Sequence, residues 1–495
     1  MNDEYTPDIL ETISNLSSDE VFTPPDLANQ LLDTLPEDLW KNPDIKILDP
    51  ALKTGVFLRE ASKRLMEGLS DVFPDEKKRR NHIFKNMLFG IAITELTALM
   101  SRRTIYYSKD ASSSHSVVKF KNTDGNVFFS RTEHTFIKRK CSICNGNIEL
   151  ERGKEFENYA YQFLHDESSY ENMKFDVVVG NPPYQLEDGG AGRSASPIYH
   201  LFVNQAFKLK PRYVSMIIPS RWFSGGKGLD PFRDQMLKSK NFKTLVDIPN
   251  SNDVFPTVKV EGGVCYFLWD KNYEGKAKIV TKENNKIISE TNRYLGQHGD
   301  VFIRYNEAVS ILEKVKNKSN KFCNEIAFSR KPFGLATNFK QYSENKKYGY
   351  LKLYYRDGIG YVDKKHITTN QEIINKYKVL ITKAYGISGN FPQQIIGKPK
   401  IAEPGSVCTE TYIVCGVFDT EVEAKNYVYY LSTKFSRFLI HLRKITQDFT
   451  KDRLMFVPYL KMNKEYSDKD LFKKFGIDNN EIKFIEEKVK EMVLD

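Results

Sequence analysis

The sequence predicts an α/β fold, a doubly wound sheet flanked by helices over residues 1–300, followed by a smaller mixed α+β domain over residues 301–495. Three observations predict it. Short apolar runs rich in β-branched residues alternate with amphipathic stretches of helical spacing, the rhythm of strand–helix–strand units. Two of these runs stop at Asp-Pro and Asn-Pro, where proline ends strand pairing and stiffens a loop. From about residue 300 that rhythm gives way to tyrosine- and lysine-rich segments.

The elements follow in order. Pro24 to Leu35 reads as a helix with Thr23 as its cap and Pro24 at its first position, where a missing N–H costs nothing. Ile45 to Leu48 is a short strand leading into the loop Asp49-Pro50-Ala51-Leu52-Lys53-Thr54-Gly55. The next helix carries Phe57, Leu58, Ala61, Leu65 and Leu69 on one face. Met87 to Ile93 is a strand, followed by a helix through Arg103. A polar stretch over about residues 108–160 fits neither pattern and reads as an insertion. Phe175 to Val179 is a strand, Pro197 to Leu209 a helix, Tyr213 to Ile218 a strand, and Pro231 to Leu237 a helix. Gly263 to Trp269 is the last clear strand of this half.

The most informative segment is Gly180-Asn181-Pro182-Pro183-Tyr184, at the end of a buried-type strand. Two prolines fix φ and hold Asn181 out of the helical region. The loop presents an amide oxygen, backbone carbonyls released from ladder duty, and an aromatic ring. Those groups suit a flat heterocycle with an exocyclic amine. Such an amine is a weak nucleophile because its lone pair is delocalised into the ring. Two acceptors, Asn181 Oδ1 and the Pro182 carbonyl, can take its hydrogens and favour a more tetrahedral nitrogen, while Tyr184 stacks on the ring. Positioning and dipole stabilisation then carry most of the catalysis. The bland alternative is a stiff turn.

Bulk properties set the frame. A net charge of +10 and a pI of 8.9 favour an anionic partner or serve only solubility. Six scattered cysteines are too few for a disulfide framework in 495 residues. The acidic start Met1-Asn2-Asp3-Glu4-Tyr5 lacks a basic–apolar leader, and no apolar run reaches spanning length. A cytoplasmic protein without a membrane partner is expected.

With strand–Asp-Pro-x-x-x-x-Gly and strand–Asn-Pro-Pro-Tyr in this order, the chain resembles the adenine-specific DNA methyltransferases of restriction–modification systems, in their γ arrangement. The resemblance covers roughly residues 21–271 motif by motif. It implies a Rossmann-like, S-adenosylmethionine-dependent methyltransferase domain followed by a target-recognition domain, acting on double-stranded DNA. Phe22-Thr23-Pro24-Pro25 matches the segment beside the bound cofactor, so Thr23 joins the cofactor set. Asp49, Pro50, Ala51, Gly55 and Phe57 match the first cofactor loop, and Asn181 borders the same pocket. Asp166, in Phe163-Leu164-His165-Asp166, matches the acid that binds the cofactor's adenine. Asp253-Val254-Phe255-Pro256 matches the loop whose phenylalanine packs on the flipped base, so Tyr184 and Phe255 would hold that base. Asn181, Pro182, Pro183 and Tyr184 form the catalytic motif. Two departures stand out: Lys53 replaces the usual glycine, and Ala92 the acid that binds the ribose. Glu95 either takes over that role or is an ordinary first-turn acid favoured by the helix dipole.

Several further readings stay open. The basic, aromatic C-terminal region is the natural sequence reader, with Lys331, Lys340, Lys383 and Arg453 as trial contacts, or is a solvated lysine surface. Gly189 to Ser194 would order on DNA with Arg193 near a phosphate, or is a passive linker. Cys141-Ser142-Ile143-Cys144 has the spacing of half a zinc site, with His134 as a third ligand and no evident fourth; otherwise it is a tight turn with two thiols. A catalytically inactive DNA-binding relative, prompted by Lys53 and Ala92, competes with the enzyme. So does a methyltransferase acting on a protein amide, though the basic tail argues for DNA. Cytosine methylation is less favoured, because those enzymes usually carry serine at the position of Asn181. No Pro-Asp…Asp/Glu-x-Lys array is evident, so any cleavage is expected from a separate restriction endonuclease.

Overall fold

The β-branched runs assemble into one nine-stranded sheet in the computed structural model. It describes residues 21–494 apart from 147, 149–159, 187–195, 227, 257, 298, 386–390 and 445–446. The loop Gly189–Ser194 with Arg193 therefore lies outside the described residues. In chain order the strands are β1 (Ile47–Leu52), β2 (Leu88–Ala92), β3 (Val127–Phe128), β4 (Val177–Gly180), β5 (Tyr213–Pro219), β6 (Phe242–Ile248), β7 (Val264–Asp270), β8 (Ala277–Glu283) and β9 (Lys286–Arg293). Their order across the sheet is β9-β8-β6-β7-β5-β4-β1-β2-β3. Strands β3, β2, β1, β4 and β5 run parallel, and β7 lies antiparallel between β5 and β6.

Side-chain alternation along these strands feeds two cores. Ile47 and Leu88 point into one apolar cluster with Leu58, Ala61, Leu65 and Ile105, supplied by helices α1 (Pro25–Leu32), α2 (Val56–Gly68) and α3 (Glu95–Tyr106). Their neighbours Leu48 and Phe89 belong to a second cluster with Phe163, Phe175 and Phe202, supplied by the short helix Gln162–His165 and by the helix Tyr199–Lys208. Helices thus cover both faces, as a doubly wound parallel sheet requires.

Several boundaries differ from expectation. The first helix ends at Leu32, and Thr23 does not cap it; Pro24 holds the cap position without a side-chain bond. Strand β1 continues through Asp49, Pro50 and Ala51 to Leu52 rather than ending at Leu48. Proline is tolerated there because the register breaks between Asp49 and Leu52. Part of the supposed insertion is integral, since β3 extends the sheet edge beside β2. Gly263–Trp269 is not the last strand of this half. Strands β8 and β9 follow as a hairpin turned by Asn284 (φ 50°) and Asn285 (φ 60°), the two positive-φ positions of a tight hairpin turn.

The contacts divide the chain into two units, Met1–Asp300 and Val301–Asp495. The second is a mixed α+β structure with two three-stranded sheets. One comprises Leu351–Tyr355, Gly358–Val362 and Ser406–Cys408; the other comprises Tyr377–Thr382, Lys400–Ala402 and Tyr412–Phe418. Helices Asn306–Lys318, Glu421–Ser432 and Lys434–His441 supply its larger core. No helix among the described residues is long and apolar enough to cross a membrane.

Helix α2 seals the sheet with Leu65, which is fully buried. Leu65→Ala should therefore cost about 2–5 kcal/mol, read as a lower urea midpoint of the first unit with its fluorescence baseline unchanged.

Candidate active site

The chain leaves β1 outward to β2 and β3, then returns to β4 on the other side of β1. That reversal creates a crevice at the carboxyl ends of β1 and β4, where doubly wound sheets bind ligands. The end of β1 carries Asp49, Pro50 and Ala51; Asn181 follows β4 directly; Glu95 opens α3 just after β2; and Phe255 follows β6. Most of the expected site residues thus meet at one sheet edge.

Asp49 is buried, and its Oδ1 accepts a hydrogen bond from the Ala51 N–H at 3.1 Å. Burial pushes its carboxyl up to about 7, against the opposing effects of that hydrogen bond and of the Lys53 charge. Room for Asp49 depends on Gly180, where an added Cβ would stand 2.8 Å from Asp49 Oδ1. Gly55, at φ 79°, starts α2 from the left-handed region, and Phe57 is buried just inside the helix.

Asn181 is 3% exposed, and its orientation is fixed by two acceptors for its amide hydrogens. Asn181 Nδ2 donates to the Val21 carbonyl at 3.2 Å and to Thr23 Oγ1 at 3.1 Å. Thr23 therefore serves the Asn181 loop instead of the helix. Asn181 Oδ1 is left buried without a hydrogen-bond partner. Pro182 and Pro183 are buried, and Tyr184 is half-buried with its hydroxyl inside. Burial raises the Tyr184 phenol well above its ordinary value, partly offset by the neighbouring Asn181 side chain. That influence falls short of a hydrogen bond of ordinary geometry, since the hydroxyl finds no such partner. Phe255 is a buried member of the apolar cluster against which Tyr184 packs.

The Lys53 ammonium donates to the Val21 carbonyl at 3.1 Å. The positive charge introduced by this departure is thus folded toward the N-terminal segment. Glu95 is exposed in the first turn of α3, behind a cap in which Thr94 Oγ1 accepts from the Thr97 N–H at 3.1 Å. Asp166 is half-buried at the end of the Gln162–His165 helix, and its Oδ1 accepts from Ser168 Oγ at 2.6 Å. This helix packs beside β2. A buried carboxyl without an ion pair, next to a buried acceptor without a donor, fits a ligand bringing a positive charge and a substrate bringing an amine. Two participants were missed in the sequence. The Val21 contribution is a backbone carbonyl, which no residue type announces, and Gly180 was passed over as the end of its strand.

Of the four trial contacts in the second unit, Lys383 pairs with Glu410 at 2.8 Å and Lys331 with the same carboxylate at 3.9 Å. Arg453 Nη1 donates to the Arg443 carbonyl at 2.5 Å. Lys340 is exposed.

A sequence profile of the Eco57I restriction-modification methylase family matches residues 86–255, across β2 to the Phe255 loop. An uncharacterized adenine-specific methylase of Mycoplasma pneumoniae is 40% identical over 310 residues, covering 56% of this chain and 74% of that protein. The chain belongs to the adenine-specific methylases of restriction–modification type. The type II restriction enzyme and methyltransferase RM.Eco57I of Escherichia coli is 21% identical over 397 residues, 72% of this methylase. The methylase spans only 39% of that enzyme's length. A nuclease-deletion mutant of the Type ISP restriction-modification enzyme LlaGI, solved with a DNA substrate mimic, covers 91% of the methylase with 12% identity and a TM-score of 0.49; the methylase spans 54% of it.

The Asp49 carboxyl offers a check on the crevice. A carboxyl raised by burial contributes stability below its unfolded value of 3.8, and that contribution is lost as pH rises through about 7. Asp49→Asn keeps an acceptor for the Ala51 N–H and removes the titration. Thermal melts without ligand should show the variant gaining over the wild type above pH 7, by about 2–4 °C for each kcal/mol, with little difference at pH 4.

Proposed function

We propose that this methylase transfers a methyl group from S-adenosylmethionine to the N(6) amine of an adenine swung out of a specific duplex sequence. It would act as the modifying component of a restriction–modification system in the cytoplasm, beside a separate endonuclease. The observation that carries this reading is the Asn181 amide, whose hydrogens are spoken for by Val21 and Thr23 while its buried oxygen has no donor. An incoming amino group supplies that donor.

S-adenosylmethionine, when bound, supplies a methyl group on a positively charged sulfur, an electrophile that needs no strong base to assist the nucleophile. Asp49, Pro50, Ala51, Gly55 and Phe57 would hold it at the end of β1, with Thr23 and Asn181 beside them and Glu95 and Asp166 toward β2. The Asp49 carboxylate favours a cationic ligand. The Lys53 bond to Val21 gives its ammonium a fixed acceptor beside Asn181 and within electrostatic reach of Asp49. Asn181 Oδ1 and the Pro182 carbonyl accept the two amine hydrogens and draw the nitrogen toward a nucleophilic geometry. The low-dielectric pocket strengthens both bonds.

Extracting a base costs a few kcal/mol. Stacking returns about 1–3 kcal/mol per base, which the rings of Tyr184 and Phe255 can supply. The second unit would read the sequence, and phosphate contacts would supply the salt-dependent part of the affinity.

Asn181→Ala should lower methyl transfer to duplex DNA by about 100-fold or more, while DNA affinity in a filter-binding assay stays within twofold. Retained turnover with lost DNA affinity would be incompatible with the assignment. Calorimetric titration with S-adenosylmethionine separates enzyme from inert module, since no heat at millimolar donor would favour the latter. Lys340→Ala should weaken all duplexes alike and lower the salt slope of binding by about 1.

A further inference from the structure

We propose that His134, Cys141, Cys144 and His165 form a structural zinc site that fastens the turn around Cys141–Cys144 to the helix preceding Asp166. The missing fourth ligand is His165, which the fold brings back across 24 residues to Cys141. His165 Nε2 lies 3.4 Å from Cys141 Sγ, and His134 Nδ1 lies 3.5 Å from Cys144 Sγ. All four ligand atoms lie within 4.8 Å of one another. Zinc–sulfur bonds of about 2.3 Å and zinc–nitrogen bonds of about 2.0–2.1 Å at tetrahedral angles separate S from N by roughly 3.5 Å. The two thiol–imidazole spacings already match that edge, and the 4.8 Å envelope of the four atoms closes onto the polyhedron by small side-chain rotations.

The surroundings are those of a metal knuckle. The Ile143 N–H donates to Cys141 Sγ at 3.4 Å, and the Asn145 N–H to the Cys141 carbonyl at 3.0 Å, with Asn145 at φ 60° closing the turn. His165 Nδ1 stands 3.1 Å from the Tyr161 carbonyl. A proton on Nδ1 makes that contact a hydrogen bond and leaves Nε2 free to ligate, the usual outer support of a zinc-bound imidazole. Both cysteines are buried. Two independent thiol–imidazole hydrogen bonds would explain each pair but not the convergence of both pairs on one point. Two sulfurs and two nitrogens in a tetrahedron select zinc among common divalent ions. On binding, each thiol gives its proton to solvent, so two thiolates balance the dication.

The consequence lies one residue further on. His165 ends the helix that packs beside β2, and Asp166 follows it. The metal would fix that helix end, making the four ligands positioning residues for Asp166. This last step rests on Asp166 facing the donor's adenine.

The test uses the full chain purified without chelator. Elemental analysis should find one zinc per chain, lost in Cys141→Ser/Cys144→Ser and in His165→Ala and kept in His165→Cys. Stripped wild-type protein given cobalt(II) should show intense tetrahedral bands with thiolate charge transfer, a readout independent of whether any variant folds. A metal-free wild type that takes up neither ion, a thiolate-free cobalt spectrum, or zinc retained in Cys141→Ser/Cys144→Ser or His165→Ala would overturn the site. Neither DNA nor methyl donor enters these measurements, so they stand apart from the methylation reading. Calorimetry then tests the link to Asp166: weaker S-adenosylmethionine binding by zinc-free protein supports it, and unchanged affinity overturns it.

Discussion

One backbone carbonyl organises the chemistry. Val21 O accepts from both Asn181 Nδ2 and Lys53 Nζ, using both of its lone pairs. The first bond decides which end of the Asn181 amide faces the crevice. With Nδ2 committed to Val21 and Thr23, only the oxygen remains to meet an incoming group. A flipped amide would present hydrogens where the crevice now has an acceptor. The second bond engages the one lysine of the β1 loop, whose charge also acts on the Asp49 carboxyl.

The crevice runs against the ordinary rule that buried polar groups are paired. A buried acceptor left without a donor costs about 1–3 kcal/mol, and burial adds a desolvation cost at the Asp49 carboxyl, pushing it up to about 7. Surrounding structure sustains both: the sheet on either side, the prolines after Asn181, and the absence of a side chain at Gly180. Such unrelieved costs concentrate where ligands bind, because the ligand removes them.

Much of this was legible in the sequence for identifiable reasons. Strand β4 is a β-branched run closed by Gly-Asn-Pro-Pro, so periodicity and proline chemistry agree on where it stops. Helix α2 shows its buried face through Leu58, Ala61 and Leu65. Other features were hidden. Pro50 reads as a strand terminator, yet β1 accommodates it at a break in register. Thr23 has the composition of a cap, but a long-range amide claims its hydroxyl. The hairpin of β8 and β9 carried a usable signal in Asn284-Asn285, masked by the charged residues around it. The helix Glu76–His82 buries none of its residues, so no hydrophobic stripe reveals it. His165 looked like part of a cofactor motif, and only the tertiary path shows it returning to Cys141.

The adjacency of β1 and β4 pairs Ile47 with Val177, and Asn181 reaches back 160 positions to Val21. Chain closure over such spans carries a loop-entropy cost that local contacts do not. During synthesis, the early strands emerge with the crevice missing an entire wall. Asn181 lacks the acceptors that orient its amide until the N-terminal segment, the first strand and the fourth are all in register. The orientation of Asn181 is therefore a property of the closed sheet and not of the loop that carries it.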